Sequence, residues 1–329
     1  MPNSSIVPPL YKIAVHCSIS INESACTQKT LTDQAIPLFF NPAAGRGRTG
    51  RRVASLSAIL KANGIAHTPV ASRAPGHIET LVLDAINAGH RRLFVAGGDG
   101  SVHEVVNGIL RSGCEVEFGV IPTGTGNDFA KASSIPLFWE DAATLLADRI
   151  SSGAPGRQID AGRCNDRYFA NSAGIGFDAK VSRMARRIRL PIGELVYLLA
   201  VLRGIWDGIA TPHVTLSFGD KCFDGELTLA SFSNGPWVGG MFHIAPMAHN
   251  DDGLLDLVYA KAVTRRRIMS LLPKIMQGTH IDEPEVYWSP IKKCELVADA
   301  PIPSHLDGEI QPLQTHFRIE VLSGALRLL

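Results

Sequence analysis

Short apolar segments alternate with amphipathic segments between residues 36 and 121. The apolar segments 36–40, 66–71, 93–96 and 118–121 have the length of buried strands. The segments 51–60, 78–87 and 102–109 carry apolar residues at helical spacing, and Asn63-Gly64 and Gly89 follow the first two as stop signals. Strands that alternate with helices in this order predict a parallel, doubly wound α/β sheet.

Beyond about residue 150 the pattern changes to alternating segments such as 214–218 and 227–232, separated by Gly, Asn and Asp. Such segments are typical of an antiparallel sheet with one buried face. Two helices are predicted there, at 194–205 and 268–276. The chain of 329 residues is therefore expected to form a loosely ordered extension (1–34), an α/β domain (35–150) and a mainly antiparallel β domain (151–329), whose last strand could return to the first domain.

Charge and cysteine content exclude several classes of protein. The 32 Lys and Arg residues nearly balance 31 Asp and Glu, so nucleic acid is not an expected partner. Six cysteines lie far apart without a CxxC pair, which argues against a disulfide scaffold or zinc site and favours the cytoplasm. No apolar run approaches the roughly 20 residues that span a bilayer. We expect a soluble protein, or one that lies at most on a membrane surface.

Three glycine-rich loops follow predicted strands, at 41–50, 97–101 and 122–127. In an open α/β sheet ligands bind at the carboxyl ends of the strands, so these loops should meet along one edge. Glycine lets backbone N–H groups approach a ligand closely, and the following helix adds its positive end. The three loops together predict a phosphate-binding site.

Two alternatives apply to these loops. Gly45 to Gly50 fits GxGxxG, the dinucleotide fingerprint of a dehydrogenase, but residues 65–76 lack the acid that should hold the ribose. A GxxxxGK[ST] phosphate loop is absent. Asp99, inside a glycine turn, implies magnesium, a ribose or a reacting hydroxyl, since it would otherwise repel phosphates; the alternative is an ordinary turn.

Several motifs occur in family order from about Ile36 to the C-terminus, and together they resemble the diacylglycerol kinase and sphingosine kinase catalytic family, most closely its soluble bacterial lipid kinases. The motifs are Asn41-Pro42-Ala43-Ala44-Gly45, Gly97-Gly98-Asp99-Gly100-Ser101, the segments 122–130, 171–178, 244–248 and 251–256, and Asp307-Gly308-Glu309.

The resemblance implies a two-domain kinase that binds ATP as phosphoryl donor in a cleft. The residues it implies for the nucleotide are Asn41, Pro42, Ala43, Ala44, Gly45, Ser72, Gly97, Gly98, Asp99, Gly100, Ser101, Val102, His103 and Thr125. Three positions depart from the family pattern. Ser72 and Ser101 stand where Thr is usual and keep the hydroxyl, whereas His103 stands where bacterial members more often have Asn.

The resemblance also implies the catalytic acids and the metals. Asp307 takes the place of the general base, with Glu309 two residues on, and Gly308 between them favours a turn that presents both to a cleft. Mg²⁺ is expected with ATP. A second, structural magnesium site would use the Asp252 carboxylate and the carbonyls of His249 and Leu254, although Asp-Asp-Gly is also a common turn sequence.

A lipid kinase needs an apolar acceptor site and transient contact with a membrane surface. Phe232, Trp237, Met241 and Phe242 are candidates for the acceptor site, and Arg183, Arg186, Arg187 and Arg189 are candidates for contact with anionic headgroups. The alternatives are core aromatics and a solvated helix face. His243, His249 and His305 lack metal-ligand spacing and are expected to be structural or solvated.

The expected function is thus ATP-dependent transfer of the γ-phosphoryl group to a hydroxyl of diacylglycerol or a related lipid. We expect a cytoplasmic protein, peripheral at the inner face of the membrane, with a homodimer as one expected assembly. Two alternatives remain open: an NAD-kinase-like enzyme with a soluble nucleotide acceptor, and a non-catalytic lipid or nucleotide sensor.

Overall fold

The structure is a computed structural model that describes residues 34–188 and 193–329. The extension predicted before residue 34 and the headgroup candidate Arg189 lie outside the described residues.

All seven elements predicted between residues 36 and 121 are present, and two further helices follow them. In chain order this part comprises β1 (Ile36–Phe40), α1 (Ala44–Ala62), β2 (His67–Ala71), α2 (His77–Asn87), β3 (Arg92–Gly97), α3 (Asp99–Ser112), β4 (Glu117–Pro122), α4 (Asp128–Ala132) and α5 (Trp139–Ser151). Helix α1 begins seven residues before the predicted start, because its first turn has left-handed residues at Gly45, Arg46 and Gly47. Glycine adopts this conformation readily, so the chain turns sharply before the regular helix.

The four strands form a parallel sheet in the order β2-β1-β3-β4. Alternate side chains enter two cores. Phe39, Val95 and Val120 pack with α2 and α3 on one face, whereas Leu38 and Phe94 pack with α1 and α5 on the other. This is the doubly wound arrangement that the sequence predicts, and it brings the ends of β1, β3 and β4 together.

The second part is a β-sandwich with three helices on one side. Its elements are β5 (Arg157–Cys164), β6 (Arg167–Phe169), β7 (Ser172–Gly176), α6 (Phe177–Ala185), α7 (Leu195–Trp206), β8 (His213–Phe218), β9 (Lys221–Ser233), β10 (Leu255–Lys261), α8 (Arg265–Gln277), β11 (Val286–Ile291), β12 (Lys293–Ile302), β13 (Ser304–Leu306), β14 (Glu309–Ile310) and β15 (Gln314–Leu328). Leu216 and Phe317 from one sheet meet Phe232 and Leu257 from the other in a shared core. The mainly antiparallel pairing confirms the predicted fold class.

Strand β15 joins the two parts. It pairs antiparallel with β12 and β5, and its end pairs parallel with β4 through Arg327 opposite Glu117 and Leu328 opposite Phe118. The chain therefore leaves the first sheet, builds the sandwich and returns to the first sheet. One continuous strand therefore belongs to both parts of the chain.

Helices α6, α7 and α8 cover the part of the sandwich that contains β9 and β10. Apolar side chains such as Phe177, Val201 and Leu272 pack together beneath these helices. In residues 34–188 and 193–329, no helix has the length and apolar character that crossing a membrane requires.

Candidate functional site

The three glycine-rich loops are in direct contact at the carboxyl edge of the parallel sheet. A Cβ atom added to Gly124 would lie 2.4 Å from the Cα of Gly98, and one added to Gly45 would lie 2.5 Å from the carbonyl oxygen of Thr123. Side chains at these positions would force the loops apart. Gly98 also immediately precedes α3, so the first free N–H groups of that helix face the same edge.

A polar cleft of about 540 Å³ opens at this edge, which is within the usual size range of a small-molecule site. The predicted nucleotide residues that line it are Asn41, Ala44, Gly45, Gly98, Gly100, Ser101, His103 and Thr125. Glu309 of the opposite domain also lines the cleft. The cleft therefore lies between the two parts of the chain and includes one of the two predicted catalytic acids.

The other predicted nucleotide residues lie elsewhere. Asp99 lines a neighbouring small pocket, Pro42 and Ala43 are exposed beside the cleft, and Gly97 is the last residue of β3. Ser72 is buried, and its backbone N–H donates to Phe40. The side chain of Val102 is 3% exposed and packs in the core between α3 and the sheet, and its place in the nucleotide site stays a prediction.

Two arginines that contact the site, Arg48 on the glycine loops and Arg186 beside Glu309, were not predicted as nucleotide residues. The Arg48 guanidinium donates to the Gly45 carbonyl (2.9 Å) and to Thr125 Oγ1 (3.4 Å), so it bridges two glycine loops. Arg186, one of the candidates for contact with lipid headgroups, pairs with Glu309 and donates to the Gly308 carbonyl (3.1 Å). The signal for Arg48 is its place in a loop that is predicted to bind phosphate, whereas nothing in the local sequence indicates the contact of Arg186 with Glu309.

The Asp307-Gly308 pair forms a two-residue turn between β13 and β14. Leu306 pairs with Glu309 across it, and both turn residues have positive φ, 50° and 80°. Positive φ at both central positions is typical of the type I′ hairpin, for which Asp-Gly is a favoured sequence. The turn directs Asp307 inward and places Glu309 at the cleft.

The Asp307 carboxylate is fully hydrogen-bonded. Oδ1 accepts from the backbone N–H groups of Asn171 (2.8 Å) and Ser172 (3.0 Å), and Oδ2 accepts from Ala170 N–H (2.9 Å) and faces His103 Nδ1 at 2.9 Å. The side chain is 2% exposed. A carboxylate in this position connects α3 and the start of β7 to the Asp307-Gly308 turn.

Asp99 and Asp128 form a buried acidic pair beside Asp307. Burial raises the pKa of both carboxyl groups, and each is raised further by a neighbouring acid; the pKa of Asp128 reaches about 8. A Cβ added to Gly126 would lie 3.2 Å from Asp99 Oδ2 and 3.5 Å from Asp128 Oδ2, so both oxygens converge on this glycine. Lys131 Nζ is 3.9 Å from Asp128. Two converging carboxylate oxygens fit a hard divalent cation such as Mg²⁺.

The acids border two pockets. The small pocket, about 30 Å³, is lined by Asp99, Asp128 and Asp307 and shares Tyr197 and Val238 with a larger apolar pocket. The apolar pocket, about 80 Å³, lies between α6, α7, α8 and strands β9 and β10. Its lining includes Phe177, Val201, Leu229, Val258, Ala260 and Leu272.

Of the four predicted acceptor candidates, Phe242 lines the apolar pocket. Phe232 is fully buried in the core between the two sheets, and Trp237 stacks on His243 with ring centroids 4.1 Å apart. The other residues that line the pocket were not predicted, because they come from α6, α7, α8, β9, β10, β11 and the segments between them, and none has a distinctive local pattern.

The predicted structural magnesium residues lie in the turn before β10. Asp252 is exposed, and its Oδ1 accepts from the Leu254 backbone N–H at 3.0 Å, which is the geometry of an ordinary turn. His249 is also exposed. Among the residues that the structure describes, no group of three His, Cys, Asp or Glu side chains forms a metal cluster. The second metal site stays a prediction.

The two parts of the chain match two family models. The diacylglycerol kinase catalytic domain matches residues 35–158, and the YegS C-terminal NAD kinase beta sandwich-like domain matches residues 171–329. A crystal structure titled as a diacylglycerol kinase from Bacillus anthracis str. Sterne has a TM-score of 0.69 at 21% identity and covers 89% of this chain and 96% of that chain. The fold is therefore that of a two-domain kinase of this type.

Sequence relatives agree with this class. A diacylglycerol kinase from Mycobacterium tuberculosis (strain ATCC 25618 / H37Rv) is 32% identical over 75% of this chain and 79% of its own length. A YegS-like lipid kinase from Pseudomonas aeruginosa PAO1 is 32% identical over 77% of this chain and 81% of its own length. The chain belongs to the family of diacylglycerol kinases and YegS-like lipid kinases.

Proposed function

We propose that the protein transfers the γ-phosphoryl group of ATP to a hydroxyl of diacylglycerol or a related lipid, as a cytoplasmic enzyme of lipid metabolism. One observation carries this proposal. The small pocket lined by Asp99, Asp128 and Asp307 connects the polar cleft with the apolar pocket. It shares Tyr197 and Val238 with the apolar pocket. On the other side, Asp99 lies in the chain between Gly98 and Gly100, which line the cleft. An acyl chain in the apolar pocket would bring its hydroxyl beside nucleotide phosphates in the cleft.

The glycine loops, the start of α3 and Arg48 would hold the phosphates of ATP. Asp99 and Asp128 would hold Mg²⁺ that arrives with ATP, and this ion would neutralise the phosphate charge. The raised pKa values of the two acids support this role, because both groups favour the neutral form when no cation is close.

Asp307 and Glu309 were both predicted to be catalytic, with Asp307 as the base. The geometry favours a different division between them. A general base needs a lone pair that faces the acceptor hydroxyl, whereas the Asp307 oxygens already have four donors. Glu309 lines the cleft, where its Oε1 pairs with Arg186 and lies 3.1 Å from the Cβ position of Gly100 at the start of α3, so this carboxylate has fewer donors around it than Asp307. We therefore assign the proton acceptor to Glu309 and the anchoring role to Asp307.

The test is transfer of labelled γ-phosphate to lipid micelles by wild type and by Glu309→Gln. We expect kcat to fall by about 10²- to 10⁴-fold with ATP binding retained. Glu140→Gln, an exposed acid in the first turn of α5, is the matched control. Wild-type transfer by Glu309→Gln would remove this role from Glu309.

The acceptor panel for wild type includes NAD. Phosphorylation of NAD instead of lipid would support the NAD-kinase-like alternative. ATP binding without transfer to any acceptor would support the sensor alternative. Either result would contradict the proposed lipid kinase activity.

We propose that α7 contacts the membrane surface. Its outer face exposes Leu195 (51%), Leu199 (39%) and Trp206 (78%), while Tyr197 and Val201 on its inner face line the apolar pocket. An exposed apolar face of this kind is suited to the interfacial region of a bilayer. A lipid could then pass from the membrane to the pocket without crossing water.

Cosedimentation with vesicles of phosphatidylglycerol and phosphatidylcholine tests this contact. Trp206→Ala should reduce the bound fraction several-fold. Phe138→Ala, which removes an aromatic ring of similar exposure (75%) from the first domain, should leave it unchanged. Equal binding by both variants would contradict the assignment of α7.

The expected homodimer stays a prediction, and sedimentation velocity would measure the oligomeric state.

A further inference from the structure

His305 lies in β13, two residues before Asp307, and is 1% exposed. Both of its ring nitrogens have partners. The backbone N–H of Gly308 donates to Nδ1 at 3.1 Å, and Nε2 lies 3.1 Å from Asp178 Oδ2. The ring therefore connects the Asp307-Gly308 turn to a carboxylate on α6.

These two contacts determine which nitrogen carries the proton. A backbone N–H can only donate, so Nδ1 of His305 must present its lone pair to Gly308. The proton of the neutral ring then lies on Nε2 and is donated to Asp178. Asp178 thus holds His305 in the one tautomer that can accept from the turn.

The backbone around this pair leaves space for it. His305 pairs with Gly174 across β13 and β7. A Cβ added to Gly174 would lie 2.2 Å from Asp178 Oδ2 and 2.3 Å from His305 Nε2. The hydrogen bond between Asp178 and His305 consequently occupies the place where any other residue would put its side chain.

The turn that His305 supports has an unfavourable backbone conformation. Asp307 has a φ of 50°, a left-handed conformation that is less favourable for a residue with a Cβ atom than for glycine. Three contacts offset this cost: Asp307 N–H donates to Ser172, Arg186 donates to the Gly308 carbonyl, and Gly308 N–H donates to His305. Glu309 directly follows Gly308, the second residue of the two-residue turn. The orientation of Gly308 therefore sets the direction in which the Glu309 side chain points.

We propose that His305, oriented by Asp178, is a positioning residue for phosphoryl transfer. Its hydrogen bond from the Gly308 N–H fixes the Gly308 peptide and thereby holds Glu309 at the cleft. This inference rests on the proposed function. His305 lines the small pocket with Asp99, Asp128 and Asp307, but it lines neither the polar cleft nor the apolar pocket.

Two variants separate the contacts of His305. In His305→Asn the side-chain oxygen can take the place of Nδ1, whereas in His305→Gln the longer amide reaches toward Asp178 and leaves Gly308 without its acceptor. We expect His305→Asn to keep kcat within about 3-fold of wild type. His305→Gln should lose about 10- to 100-fold in kcat with the KM for ATP unchanged, the size of effect that small misplacements of catalytic groups produce. Equal kcat values for the two variants would overturn the proposal.

A measurement on the wild-type protein covers the case in which a variant does not fold. Nitrogen-15 NMR of labelled histidine should show His305 as the tautomer protonated on Nε2, and the opposite tautomer would overturn the proposal. This result does not depend on catalysis. If wild-type protein with the expected tautomer transfers no phosphate to lipid, the proposed function fails separately.

Discussion

Replacing Asp307 by Asn should destabilise the folded protein, and the size of the effect follows from its four contacts. The Asn oxygen can still accept from Asn171 and Ser172, but the amide nitrogen would face Ala170 N–H, which is a donor. The side chain is 2% exposed, so water cannot replace the lost acceptor. An unsatisfied buried donor costs about 1–3 kcal/mol, and losing the negative charge weakens the remaining bonds, so we expect a total near 3 kcal/mol.

Urea unfolding followed by circular dichroism measures this loss. With a slope of about 3 kcal/mol per molar urea, the midpoint should fall by about 1 M. Glu309→Gln changes an acid that is one-third exposed and should shift the free energy of unfolding by less than about 0.5 kcal/mol. If Asp307→Asn unfolds at the wild-type midpoint and yet loses kinase activity, the anchoring role is wrong, and Asp307 acts in the chemistry as the sequence predicted.

Three further predictions concern the acids, the apolar pocket and the phosphate loops. Because the pKa of Asp128 is raised to about 8, the folded protein keeps a proton that the unfolded chain releases, so the free energy of unfolding without Mg²⁺ should fall as pH rises from about 4 to 8. Asp128→Asn should flatten this pH dependence of stability in thermal melts, and an unchanged dependence would contradict the raised pKa of Asp128. Ala260→Phe should fill the apolar pocket and raise the KM for lipid at least about 10-fold without changing ATP binding; unchanged lipid kinetics would exclude the pocket as the acyl site. Arg48→Gln should weaken ATP binding in calorimetry by about 10-fold, the loss of one charge-assisted bond, whereas exposed Arg51→Gln should not.

The local sequence was sufficient for the first sheet and its loops. Strands β1 to β4 were predicted to within a residue or two, because buried strands and amphipathic helices leave a period in the sequence that does not depend on distant residues. The loops before α1, α3 and α4 were likewise predicted, since each close approach of backbones requires glycine at a known place. Asp307-Gly308 is another local signal, because its two left-handed residues suit a type I′ turn.

Tertiary structure alone decided which contacts each site residue makes. Asp307 was predicted as a base, but donors from residues more than 130 positions away, and His103 from the other domain, occupy its oxygens. His305 was expected to be structural or solvated, and its partner Asp178 lies 127 residues earlier. Hydrogen-bond saturation, burial and pocket shape depend on which distant elements pack together, and no local period in a sequence records such pairings.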